Sequence, residues 1–467
     1  MNQEPPSAAD WFAAGNRQMQ EGDDAAAEES FRQAVAATPE LAEAHGNLGL
    51  LLERRGETAA AEQSYGRALR LKPGLIQVHL NYGALLLGQK RFDDAETAFR
   101  NAVRLAPDSA AAWTNLGVLL ASCKREAEAE RCHRYALELT PGHSRARFNL
   151  AYLLLRQGRF EEGWPCLEAR DWYAPLESHL QCPRWQGEPL AGKSLLIGFE
   201  AGHGDMIQFC RYATLLKAQG ATCVDVVCHP ALTRLLSRCD GIAQAYAIDA
   251  AFPRDAWDYW CPPLSLPGHC GTDLESIPAA LPYLHPEPEA AAHWAQRLAG
   301  PALQVGLRVG LVWRGNPRFE NDADRSLPSL ATLLPLSTVP GVVFYSLQKG
   351  AGEDEAAAPP AGFALRNLAA EIHDFADTAA IIANLDLLIS VDTAVAHLAG
   401  ALAKPCWLLL PDYQTDWRWL KERSDTPWYP GVMRLFRQPP GGGWESVIVE
   451  VRESLQALAA DPLQGKA

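Results

Sequence analysis

Four prolines, Pro39, Pro73, Pro107 and Pro141, recur every 34 residues along the first third of the chain, and the residues between them keep step. Ahead of each proline the same offsets bring Gly15, Gly49, Gly83 and Gly117, then Ala27, Ala61, Ala95 and Ala129. An aromatic position follows, filled by Phe31, Tyr65, Phe99 and the off-type His133, and then a second alanine at Ala34, Ala68, Ala102 and Ala136. A fixed period of this size constrains the fold more than composition can. Each unit buries its apolar face only against its neighbours, so the units must stack. Glycine and alanine sit where two helices approach closely, and the aromatic plugs the gap between units. Proline ends the second helix because it has no amide to donate. A fifth unit, over 144–176, keeps Leu150 and Ala151, has Gly163 where an alanine is expected and lacks the proline; it reads as a capping or adaptor repeat.

The order glycine, alanine, aromatic, alanine, proline at this period resembles the tetratricopeptide repeat (TPR). The resemblance implies a two-helix unit and a superhelix whose concave groove suits an extended peptide or a protein surface. A scaffold for self-association, with the chain as a homo-oligomer, is the alternative use of such an array.

The rest of the 467-residue chain is too long for a tail and differs in texture, so about three domains are expected in all. A hydrophobic fraction of 48% with 14 Trp supplies ample material for buried cores. The formal charge of −14, with no run of Lys and Arg, argues against nucleic acid, whose phosphates need clustered cations. No window reaches the ~18 apolar residues of a membrane span. The N-terminal MNQEPPSAADW lacks a basic segment followed by an apolar one, so a cytoplasmic location is expected. The 11 cysteines include no CxxC pair and no histidine at metal spacing, and read as buried thiols.

Helical periodicity stops after Arg170, where Pro175, Pro183, Gly187, Pro189 and Gly192 accumulate. The organisation expected is repeats over 7–176, a linker over 177–192, an N-terminal Rossmann-like domain over 193–300, a C-terminal Rossmann-like domain over 301–440, and a C-terminal helix and tail over 441–467. Within the third segment SLLIGF is an apolar run, EAGHGD a glycine loop, MIQFCRYATLLKAQG a helix starting at Met206, VDVVCH a second strand and PALTRLLSRC a second helix. After Pro301 the alternation restarts with VGLVWRG, VVFYSLQ, LDLLISVD and CWLLLP as strands. Strands alternating with helices form a parallel sheet covered on both faces, so two Rossmann-like halves are expected, with the ligand in their cleft. The fold class is α + α/β.

The stretch LDLLISVDTAVAHLAGALAKPCWLLLP, with EIHDFADTAAIIANLD before it, resembles the donor-binding half of bacterial glycosyltransferases of the GT-B fold, the heptosyltransferase-like group. The loop AGHGDMIQ resembles the GD-containing loop of their first domain. With VWRGNPRFENDADRSLP and DWRWLKERSDTPWYP, the chain is similar to TPR-fused members of that group, some of which glycosylate flagellin. In plan it is also similar to the O-linked N-acetylglucosamine transferases. The resemblance implies transfer of a sugar from a nucleotide-sugar substrate, with neither metal nor cofactor. A protein acceptor is expected in the TPR groove. It also implies a final helix, SVIVEVRESLQALAA, that crosses back onto the first half. The alternatives are a lipopolysaccharide sugar transferase and a non-catalytic TPR adaptor.

Sugar transfer needs a base for the acceptor hydroxyl and cationic or hydrogen-bonding groups for the departing diphosphate. Asp205, in the loop with Gly202 and Gly204, is the first choice for the base, and His203 competes because its ordinary pKa lies nearer neutrality. Helix capping is the structural alternative for Asp205. Asp392 ends a strand and DTAVAHLAGALA begins a helix, so amides near Thr393 and Ala394 would face a phosphate. Asp392 would take a ribose or sugar hydroxyl, with His397 one turn along. Arg314, Arg325 and Lys349 are candidates for the diphosphate. Against these stand an ordinary N-cap, an interior histidine and surface salt bridges. Trp417 and Trp419 either wall the pocket or belong to the core.

Overall fold

A computed structural model describes residues 6–299 and 306–460. The boundary expected at 300/301 and the last seven residues of the tail lie outside them. The chain divides into two compact units, 1–153 and 154–467.

The first unit is a run of helix pairs, Ala8–Glu21 with Asp24–Ala37, Ala42–Arg54 with Thr58–Leu71, Ile76–Gly88 with Phe92–Leu105, and Ala110–Ser122 with Glu126–Leu139. The repeat positions explain the pairing. A Cβ on Gly83 would lie 2.5 Å from the Phe99 ring, and one on Gly49 2.7 Å from Tyr65, so only glycine lets the partner helix come this close. Phe31, Tyr65, Phe99 and the surrounding alanines are fully enclosed. Each second helix stops two residues before its proline, as with Leu105 and Pro107.

The second unit contains two wholly parallel sheets. The first holds β1 (Ser194–Ile197), β2 (Cys223–Cys228), β3 (Ala245–Ala247) and β4 (Tyr259–Cys261) in the order β3-β2-β1-β4. The second holds β5 (Leu307–Val312), β6 (Val342–Ser346), β7 (Leu365–Asn367), β8 (Leu387–Val391), β9 (Cys406–Leu410) and β10 (Met433–Arg437) in the order β10-β9-β8-β5-β6-β7. The central strands β1 and β8 are almost entirely buried, which is why they read as unbroken apolar runs. In both sheets the chain reverses direction of travel beside a central strand. In the first sheet this happens between β1 and β4, and in the second between β5 and β8. Loops leaving such strands splay apart and open a ligand crevice at the strand carboxyl ends.

Three segments differ from expectation. The stretch expected as a linker is packed: Trp185 is buried, its amide donates to the Trp260 carbonyl at 2.8 Å, and the Trp260 amide donates to Pro183 at 3.1 Å. Apolar side chains among the prolines gave it something to bury against β4. The helix expected from Met206 begins at His203 and breaks into His203–Phe209 and Tyr212–Ala218. The C-terminal helix, Glu445–Ala460, stays with the second sheet, where Val447, Ile448, Val451 and Leu455 share a core with Val309, Leu311 and Leu336. Its apolar stripe is satisfied there, which corrects the expectation that it crosses to the first half.

Candidate functional site

The candidate site is built from the loops after β1, β8 and β9. After β1 the chain turns through Ala201, held at φ +57°, and enters the His203–Phe209 helix with Asp205 in its first turn. Oδ2 of Asp205 accepts the Gly202 amide at 2.8 Å. That bond explains the early start of the helix, because the carboxylate satisfies an amide at the helix entrance. Asp205 therefore does cap its helix. The cap uses one oxygen; the other, Oδ1, forms an ion pair with Nη2 of Arg418 from the loop after β9.

Arg418 is the hub. Its Nε donates to Oε1 of the buried Gln208 at 2.6 Å, and its Nη1 to both oxygens of Asp416 at 3.0 and 3.1 Å. The guanidinium lies over the Trp417 ring at 4.6 Å. The next residue, Trp419, donates Nε1 to Oδ2 of Asp392 at 2.8 Å. One short turn, Trp417–Trp419, therefore grips Asp205 from the first half and Asp392 from the second. Both aspartates keep partial exposure, 21% for the Asp205 side chain, while Arg418 is almost enclosed at 6%.

This crowding perturbs Asp205, Asp392 and His397. Burial raises the Asp205 carboxyl above its ordinary range, with the Arg418 charge opposing. Burial, then the Asp416 charge, pushes Asp392 up to about 6, against the Trp419 hydrogen bond and the Arg325 and Arg418 charges. His397 is driven well below its usual value by burial and by the Arg418 and Arg211 charges, so its imidazole is neutral. It bonds the Tyr429 hydroxyl through Nδ1 at 2.9 Å and stacks on Trp419 at 5.2 Å. Gly204 permits the approach of the two halves, since a Cβ there would lie 2.9 Å from His397 and 3.5 Å from the Ala394 Cα.

Asp392 and Thr393 precede the Ala394–Ala401 helix, with Thr393 extended at its entrance. First-turn amides of a helix lack intrahelical acceptors and carry the positive end of its dipole, so this end can receive an anion. Arg325, paired with Asp322 at 3.1 Å and lying over Phe319, is among the cations that act on Asp392. The structure thus gathers Gly202, Gly204, Asp205, Asp392, Thr393, Ala394, His397 and Arg325. His203 turns away from Asp205, stacking on Phe375 at 5.3 Å and meeting His229 at 4.6 Å, and burial keeps it neutral. Arg314 is engaged with Glu355 and the Pro328 carbonyl. Lys349 is engaged with Glu353 and the Ala369 carbonyl.

Sequence reasoning missed Arg418, Gln208 and Asp416. The available signal was an arginine between two tryptophans in a polar loop after a buried strand; an enclosed cation needs carboxylates and aromatic faces. It also missed Glu200, buried just beyond β1 and paired with the buried Arg170 at 2.6 Å, and Arg211. Arg211 sits between the Tyr283 and Tyr429 rings and donates to the Trp428 carbonyl at 2.6 Å. Among the described residues no group of three or more His, Cys, Asp or Glu could hold a metal ion, and no helix is long and apolar enough to cross a membrane.

Comparison with known proteins agrees with both parts of this architecture. Residues 12–76, 83–131 and 127–163 match the tetratricopeptide repeat model, and residues 340–408 match glycosyltransferase family 9 (heptosyltransferase). The chain therefore carries TPR repeats and a glycosyltransferase family 9 domain, whose matched segment runs from β6 into β9 and contains Asp392, Thr393, Ala394 and His397. Protein FlbA of Caulobacter vibrioides is 30% identical over 335 residues, covering 66% of this chain and 54% of FlbA. The chain thus spans about half the length of that relative. Two solved structures resemble the repeats. PilF of Pseudomonas aeruginosa is 23% identical, with 34% of this chain and 75% of PilF covered and a TM-score of 0.33. YrrB, described as a TPR protein with an unusual peptide-binding site, is 19% identical, with 35% and 84% covered and a TM-score of 0.31.

Proposed function

We propose that this chain is a GT-B glycosyltransferase that moves a sugar from a nucleotide-sugar donor to a hydroxyl of a protein acceptor, flagellin being one candidate, engaged by the TPR array. The observation that carries the reading is the convergence of Asp205 and Asp392, from different sheets, on the Trp417–Trp419 turn. Asp205 takes the proton as the acceptor oxygen bonds to the anomeric carbon. The bond from that carbon to the diphosphate breaks, and its electron pair leaves on the diphosphate oxygen. The Ala394–Ala401 helix entrance and Arg325 receive that charge, and Asp392 accepts a hydroxyl of the donor. His397, uncharged and fixed by Tyr429, adds no positive charge of its own.

The match to heptosyltransferases favours a second reading, a lipopolysaccharide sugar transferase with the same donor chemistry. Purified protein incubated with UDP-, GDP-, ADP- and CMP-sugars and either candidate protein acceptors or lipid-linked oligosaccharide separates the two. Mass spectrometry showing a glycosylated protein supports the first; labelled lipid alone supports the second.

A further inference from the structure

Backbone strain in the second unit gathers around Arg418. Of the described non-glycine residues of this unit with left-handed backbones, Gln414 (φ 50°), Leu420 (52°) and Glu422 (52°) lie in the loop after β9 and Ala201 (57°) in the loop it meets, while Ala403 (55°) precedes β9. Leu420 combines its φ with ψ −162°, a region almost reserved for glycine. Such geometry persists only where surrounding contacts over-determine it. Here they do: Trp417 is packed by Phe160, Trp164 and Trp428, Trp419 is bound through its indole to Asp392, and the Trp419 carbonyl accepts Arg437 Nη2 at 2.6 Å. The result of all this fixing is the placement of one guanidinium.

That guanidinium is engaged by protein acceptors on all three nitrogens, from Gln208, Asp416 and Asp205. It is therefore poorly suited to take a phosphate and well suited to hold its neighbours. Asp205 has one oxygen anchored by its own half, through Gly202, and the other paired with Arg418, which belongs to the opposite half.

We infer that Arg418 is a positioning residue: by clasping Asp205 and Gln208 across the crevice, it orients the base only while the two halves are closed on each other. Loss of the clasp leaves Asp205 held by backbone groups of its own half and removes the Arg418 charge. The inference rests on the reading of Asp205 as the base, and Arg418 acts through it without touching sugar or leaving group. The other ionisable groups around Asp205 are Asp416 and Glu200, with Asp392 and the neutral His397 beyond Arg418.

The test compares wild type with Arg418→Gln and Arg418→Lys in the full chain, following nucleotide release from UDP-, GDP-, ADP- and CMP-sugars across pH with candidate protein acceptors and lipid-linked oligosaccharide supplied. The inference predicts that Arg418→Gln lowers kcat about tenfold or more, as expected for loss of charge-assisted bonds, with donor KM nearly unchanged. It also predicts an acid limb of kcat/KM displaced to higher pH, because a carboxylate without its cation binds its proton more tightly, and partial recovery with millimolar guanidinium. A purely structural role would lower the melting temperature or kcat with the acid limb unmoved, and would overturn the inference. If the glutamine variant does not fold, Arg418→Lys decides: kcat reduced with donor KM held and the acid limb moved to higher pH supports it, because the shorter ammonium cannot hold Asp205 and Gln208 together, and an unmoved limb overturns it. A wild type inert toward every donor refutes the transferase reading instead. Carbon-13 carboxyl titration of Asp205, assigned with Asp205→Asn, then decides the clasp: a higher midpoint in Arg418→Gln upholds it, and an unchanged midpoint overturns it.

Discussion

Asp392 is placed where ionisation is resisted, and this has a measurable sign. Its carboxyl titrates at about 6 in the folded protein, above the ordinary 3.8, so the folded state holds this proton more tightly than the unfolded chain does. As pH rises from about 4 through about 6 the unfolded chain ionises first, and the folded state loses relative stability. Asp392→Asn, which can still accept the Trp419 indole, removes that penalty. Its melting temperature is expected to match wild type near pH 4 and to exceed it by a few degrees above pH 7; equal curves at both would contradict the assignment. The Arg170–Glu200 pair makes a second buried carboxylate testable. Both side chains are enclosed, so Arg170→Ala strands a buried carboxylate and should cost about 3–5 kcal/mol in denaturant unfolding.

Helices and strands show where the sequence was legible. The repeat glycines could be read because their constraint is local and periodic, and their geometry is testable. Gly83→Ala forces a methyl against Phe99 and should destabilise the first unit by about 1–3 kcal/mol, whereas Gly88→Ala, with open space around it, should be neutral or slightly stabilising. Equal effects in urea unfolding would contradict the packing. Strands β1, β2, β5, β6, β8 and β9 were legible as apolar runs because parallel strands are covered on both faces. Strands β3, β4 and β7 are three residues each, too short to make a pattern, and β10 lay hidden in the tract after the tryptophans. Asp205 and the Asp392 helix entrance could be found because glycine loops and strand-to-helix junctions leave local marks. Arg418 could not, since its partners Asp205 and Gln208 are more than two hundred positions away in sequence. The destination of the C-terminal helix was misjudged for a similar reason: an apolar stripe shows that a face is buried, not which sheet receives it.

At the scale of the whole molecule, the account divides labour between acceptor recognition in the repeats and chemistry in the second unit. Removal of residues 1–143 should abolish modification of a protein acceptor while nucleotide binding, followed by calorimetry, survives. Loss of nucleotide binding in the shortened chain would contradict that division. The central claim is that Asp205 and Asp392 serve one reaction from two sides of a crevice. Nucleotide release from donor sugars by wild type and by Asp205→Asn, with an acceptor present, tests it most directly. The account predicts turnover by wild type and a loss of about a hundredfold or more in kcat for the variant, with donor KM little changed. Wild-type turnover in Asp205→Asn would contradict it.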